Sequence, residues 1–197
     1  ISLKYTNYSN SKKKLFNNYL PRKIRVNEEF IYFFGLWCGD RVGKGRFGVV
    51  NKNKSINFYT KYYLEQLYQK VKFVLIYSNK IDMPNLDYQM DKIICNKSDK
   101  NKKGYAISVH SNNGIMFRFF DYLSNNLMEF LNLIDDKINI FLAGLFDAEG
   151  NVLLEDECFR WSCKNDERIK IFKDIMIQLK IFRRYDGANL VSYDKQY

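Results

Sequence analysis

Two stretches of the chain, Glu28–Asp40 and Lys137–Glu149, are dominated by apolar residues, and each ends on an acid. The first follows Asn27 and opens with Glu28 and Glu29, an N-cap with acids in the first turn, which predicts a helix over 28–40. The second follows Asp135 and Asp136, either of which can cap it, and is closed by Gly150, which predicts a helix over 137–149. Apolar positions at helical spacing (Phe58, Tyr62, Leu64, Leu67, Val71) predict an amphipathic helix over 56–71. The same spacing predicts helices over Met116–Leu133 and Glu167–Leu179. Short alternating or β-rich runs predict strands over 46–51, 72–77, 105–110, 159–163, 181–185 and 189–193. Arg41–Gly48 reads as a Gly-rich connector, and the polar, Lys-rich Asn79–Gly104 as a long surface loop or irregular hairpin.

The order helix, strands, helix, strands thus occurs twice, a coarse internal duplication. Aligning Gly35-Leu36 with Gly144-Leu145 places Asp40 on Glu149, an offset of 109 residues. Lys54 and Lys164 follow at nearly the same offset, each after a strand and before a helix. The expected fold class is α+β with a pseudo-twofold duplication, a first half over 28–134 and a second over 135–197. Residues 1–27 hold seven Lys or Arg and no acid. They are expected to form a basic extension, either an arm along DNA or an organelle-targeting segment.

Composition narrows the partners. The formal charge is +10 over 197 residues, and such an excess favours a polyanion, whose condensed counterions Lys and Arg release. The 15 Tyr and 16 Phe are expected mostly in core and strands. Cys38, Cys95, Cys158 and Cys163 show no CxxC spacing and His110 is the one histidine. That argues against structural zinc and for a reduced intracellular setting, microbial cytoplasm or organelle. No apolar run approaches the roughly 18 residues of a membrane span, so no membrane partner is expected.

The chemistry sits on the two apolar helices. Gly35 and Gly39, and Gly144 and Ala148, lie four apart on one helix face, where small side chains let two backbones approach closely. Glycine inside a helix costs roughly 1 kcal/mol against alanine, which suggests that close approach is required. Asp40 and Glu149 stand at the C-terminal ends, the unfavourable end of the macrodipole for an acid. If the helices pair in parallel the two carboxylates meet, and a divalent cation with oxygen ligands, Mg²⁺ or Mn²⁺, relieves both problems.

The segment Leu142-Ala143-Gly144-Leu145-Phe146-Asp147-Ala148-Glu149-Gly150 resembles the LAGLIDADG signature of homing endonucleases. Phe33-Phe34-Gly35-Leu36-Trp37-Cys38-Gly39-Asp40 resembles it more loosely. The resemblance implies a monomer of two pseudo-symmetric halves, each αββαββ with a closing helix. The motif helices would pack at the centre, and two curved antiparallel sheets would form a saddle on double-stranded DNA. It implies that Asp40 and Glu149 bind the catalytic metal, with the backbone carbonyls of Gly39 and Ala148 as further ligands. It places Asn53, Lys54 and Lys164 near the scissile phosphates. Base contacts would come from strand residues of suitable type: Arg46, Asn51, Lys72, Tyr77, Ser108, His110, Arg160, Ser162, Arg183 and Tyr185. The first motif departs from the signature at Phe34, where bulk is expected to make the helix pair asymmetric, at Cys38, and at Arg41, a cation beside the acid. The implied activity is site-specific hydrolysis of both DNA strands. The alternative on the same scaffold is a non-catalytic binder, an intron RNA maturase or a ribonucleoprotein component.

Overall fold

The computed structural model describes residues 2–9, 12–19, 23–43, 45–96, 104–153, 158–162, 177, 184–185 and 189–192. In chain order the elements are β1 (Ser2–Ser9), β2 (Lys12–Tyr19), α1 (Glu28–Asp40), β3 (Phe47–Asn51), α2 (Lys54–Gln66), β4 (Lys72–Ser78), β5 (Lys92–Asn96) and β6 (Tyr105–Ser111). There follow α3 (Gly114–Asn125), α4 (Leu127–Leu133), a 3-10 turn (Asp135–Lys137), α5 (Ile138–Glu149), β7 (Gly150–Leu153), β8 (Cys158–Ser162), β9 (Arg184–Tyr185) and β10 (Asn189–Ser192). The fold class is α+β. Among the described residues no helix is long and apolar enough to cross a membrane.

Helix α1 starts where its cap predicts: Asn27 Oδ1 accepts from the Phe30 N–H at 3.0 Å. Helix α5 starts differently. Asp135 and Asp136 are spent in the 3-10 turn, and Lys137 takes the cap position without a side-chain hydrogen bond. The predicted helix over 116–133 breaks into α3 and α4 at Asn126, whose side-chain amide bonds back to the Tyr122 carbonyl. The basic extension was expected to be an arm along DNA or an organelle-targeting segment, with no secondary structure assigned to it. Its backbone pairs β1 with β2 as an antiparallel hairpin.

Three antiparallel strands, β3, β6 and β4, form a sheet to which β5 adds on the far edge in parallel. The parallel strand lies within the segment expected to be a long surface loop or irregular hairpin. The isolated Arg41↔Val49 bridge extends the other edge. The sheet is therefore mixed. A second sheet has the order β7-β8-β10-β9. The two sheets differ in order: the first pairs its first strand with its last, β3 with β6, and the second pairs its first two strands, β7 with β8.

Alternate residues of the first sheet take opposite faces. Phe47, Val49, Ile107, Val109, Phe73 and Leu75 face one way and are buried. They pack within or beside an aromatic core that fixes α1 against α2 and α3: Phe33 stacks on Tyr63 at 4.3 Å, Phe47 meets Phe120 at 4.7 Å, and Phe34 meets Phe130 at 4.8 Å. The abundance of aromatics is absorbed here, by packing. Phe34 is fully buried in this cluster, while its counterpart by register, Ala143, is exposed. The departure at Phe34 thus fills the core beside the helix pair and leaves the seam to the glycines.

Candidate active site at the paired helix ends

The small residues of α1 and α5 face each other. A Cβ on Gly35 would lie 2.2 Å from the Phe141 carbonyl oxygen and 2.8 Å from the Leu145 amide nitrogen. A Cβ on Gly144 would lie 2.1 Å from the Tyr32 carbonyl oxygen and 3.0 Å from the Leu36 amide nitrogen. Phe141 and Leu145 are the residues that the 109-residue offset assigns to Tyr32 and Leu36. The two glycines therefore make reciprocal contacts, as in an isologous interface between copies related by a twofold axis. Further along, a Cβ on Gly39 would lie 2.5 Å from the Ala148 Cβ and 3.0 Å from the Glu149 Cγ. Contacts advance together on both helices, so α1 and α5 run parallel and their C-terminal ends come together.

The acids at those ends are neighbours, the Glu149 side chain lying against Gly39, next to Asp40. Asp40 is half-buried, and its pKa is raised to about 7. Burial is the main cause; the charge of Glu149 pushes the same way, and a hydrogen bond from Asn51 opposes both. Two carboxylates drawn together at two helix C-termini, one of them desolvated, form an oxygen-rich site of negative potential. The donor set suits Mg²⁺ or Mn²⁺, which take carboxylate and carbonyl oxygens and retain water. Among the described residues no cluster of three or more His, Cys, Asp or Glu is present. A metal held here would therefore complete its shell from backbone carbonyls, such as those of Gly39 and Ala148, from water and from substrate oxygens.

A cation beside the acid was expected from Arg41, and the geometry draws it away. Its guanidinium pairs with Asp121 Oδ1 at 2.9 Å and lies 5.4 Å from the centre of the Trp37 ring. The second motif makes one contact across the pair without a twin: the Tyr32 hydroxyl donates to Asp147 Oδ2 at 2.5 Å, and the register position of Asp147 in α1 is Cys38.

The remaining candidates divide by strand face. Asn51, assigned to base contacts, lies on the face of Val49 and Ile107 and donates from Nδ2 to Asp40 Oδ2 at 2.5 Å. Tyr77 lies on that face too, opposite Tyr105. Asn53 is the N-cap of α2, accepting from Ser55 N–H at 2.9 Å, a structural task that the resemblance did not imply. Lys54 begins α2 and forms an ion pair with Asp87. It borders a cleft of about 270 Å³ with Lys52, Asn85, Tyr88 and Tyr105.

On the opposite face of the sheet the register aligns Gly48, His110 and Lys72 in one row, and Val50, Ser108 and Val74 in the next. Ser108 and His110 are buried, and the Ser108 hydroxyl and His110 Nδ1 share a hydrogen bond at 2.8 Å. Neither offers an edge to a base in this arrangement. Burial, and after it the charges of Arg46 and Lys72, hold the His110 pKa down at about 4. Arg46 is exposed and Lys72 partly so. Arg160, Ser162 and Tyr185 are placed in β8 and β9 by backbone alone. Lys164 and Arg183 lie outside the described residues.

No family model, curated protein or solved structure matches the chain.

Proposed function

We propose that the chain is a site-specific endonuclease of the LAGLIDADG type that hydrolyses both strands of duplex DNA with a divalent metal. One observation carries the reading: reciprocal glycine contacts set α1 and α5 parallel and bring Asp40 to Glu149. A structural helix pair has no need of two acids converging at its C-terminal ends, where both dipole and mutual repulsion disfavour them. The duplicated α+β saddle implied by the motif accommodates the rest: a parallel motif pair, and one sheet following each motif helix in the chain.

Asp40 and Glu149 would hold the metal, with the carbonyls of Gly39 and Ala148 beside them. When bound, such an ion lowers the pKa of a water and offsets charge on the phosphate. The chain's own residues do the rest. The helix pair fixes the separation of the two carboxylates, as a site built on rigid elements requires. Lys54, which lines the cleft with Asp87, would exchange Asp87 for a backbone phosphate, a charge-for-charge swap. Arg46 and Lys72 supply cations on the outer face of the sheet, where they contact the duplex.

Selection from a randomised duplex pool, followed by incubation of a plasmid carrying the selected site with Mg²⁺, tests this reading. The expected result is linear product from the wild type and none from Asp40→Asn or Glu149→Gln. Tight binding without cutting under any divalent metal refutes it.

A further inference from the structure

Asn51 stands apart from the other strand candidates because its side-chain amide nitrogen, side-chain oxygen and backbone carbonyl are all engaged toward the acid or toward the elements that frame it. Its Nδ2 donates to Asp40 Oδ2 at 2.5 Å. Its Oδ1 accepts from the Asn53 N–H at 2.7 Å, and its carbonyl accepts from Asn57 Nδ2 at 3.2 Å. Asn53 in turn caps α2. The acceptor on one side and the donor on the other fix which way the amide points. The first sheet, the start of α2 and the end of α1 are thereby tied through one side chain to one carboxylate oxygen. Its face of the strand, shared with Val49 and Ile107, turns it from the outer side, where a base contact would be made.

Resting on the nuclease reading above, we propose that Asn51 is a positioning residue for Asp40. It holds one carboxylate oxygen by hydrogen bond so that the other stays directed at the junction with Glu149. Outer partners of this kind orient a ligand, and their loss costs about 10- to 100-fold in metal affinity or activity.

Asn51→Asp separates this role from a purely architectural one. An aspartate keeps the acceptor for the Asn53 N–H but has no donor for Asp40, so the cap linkage survives and the hold on the acid does not. Cleavage of the selected duplex is expected to slow about 10- to 100-fold in Asn51→Asp and in Asn51→Ala. Duplex affinity measured in Ca²⁺ should be unchanged in Asn51→Ala. Independently of activity, one Asn51 side-chain amide proton should resonate downfield of the other asparagine amides, and Asp40→Ala should return it to their range. An ordinary amide shift in the wild type, or wild-type cleavage by Asn51→Asp, overturns the proposal. A weakened duplex affinity in Asn51→Ala with an unchanged cleavage rate returns Asn51 to a base contact and also overturns it. A wild type that shows the shifted amide but cuts no duplex overturns the nuclease reading, and the positioning role with it, while leaving the hydrogen bond established.

Discussion

Replacing Gly35 by alanine tests the helix seam directly. In most exposed helix positions glycine to alanine is favourable by about 1 kcal/mol. Here the new Cβ would sit 2.2 Å from the Phe141 oxygen and 2.8 Å from the Leu145 nitrogen. Both are backbone atoms of a regular helix, so no rotamer change relieves the overlap. Restoring ordinary contact requires α1 and α5 to separate by about 1 Å, and a gap of that size forfeits a quarter to a half of each dispersion contact along the seam. Overpacking costs about 1–3 kcal/mol. Backbone against backbone belongs at the upper end, so the expected net loss is about 2 kcal/mol. Gly144→Ala should behave alike, since its Cβ meets the Tyr32 oxygen at 2.1 Å. Once one alanine has parted the helices, the other has less to displace. The double variant is therefore expected to fall short of the sum by about 1 kcal/mol, within the range for contacting residues. Urea denaturation of the four proteins, with Gly43→Ala as a control whose Cβ meets nothing within 4 Å, reads both quantities. A stabilised Gly35→Ala, or strict additivity, would refute the reciprocal seam.

Three further outcomes follow from named groups. His110 is held neutral, with a pKa near 4 against 6.5 in the unfolded chain. Its contribution is complete above about pH 6.5 and is withdrawn as pH falls toward 4, by about 3 kcal/mol at most. The acid-side slope of stability should flatten in His110→Gln, and an unchanged slope contradicts the assignment. Asp40 has the opposite sign: its raised pKa makes ionisation unfavourable to the fold, so stability is lost as pH rises from about 4 toward 7. Metal-free Asp40→Asn should accordingly show a higher urea midpoint than the wild type at pH 8, and an equal or lower midpoint counts against a desolvated acid. Gly48 has φ +156°, and a Cβ there would lie 2.0 Å from the Val109 oxygen across the ladder. Gly48→Ala should cost about 2 kcal/mol or more in urea, and a loss below 0.5 kcal/mol would show that β3 can shift from β6.

The parts of the molecule that were legible in the sequence are those where composition and period agree. Gly35, Gly39, Gly144 and Ala148 announced the seam because glycine in a helix needs a reason, and Asn27 announced the start of α1 because a cap is a local device. Strand β5 was missed because Lys92–Asn96 is a short edge strand with Ile93 half exposed, which leaves little periodic signal in a polar segment. The break at Asn126 was missed because apolar spacing continues across it. Among the candidate site residues, register alone aligned Asp40 with Glu149, whereas the strand face that Asn51 takes, toward Asp40, was not legible. Strand faces alternate, so a one-residue uncertainty reverses the environment. The pairing of Lys54 with Asp87, across 33 residues, and that of Arg41 with Asp121, across 80, depend on tertiary placement that no local pattern encodes. The stability of a half-exposed pair such as Arg41–Asp121 is small, but the pair holds the guanidinium at Asp121.

The central claim is that Asp40 and Glu149 form one metal site between them. Binding of Mn²⁺ to the protein–duplex complex, followed by electron paramagnetic resonance, measures this. The account predicts a bound ion in the wild type that is lost in Asp40→Asn and equally in Glu149→Gln, because each carboxylate supplies part of the same shell. Mn²⁺ bound equally well after removal of both carboxylates would contradict it.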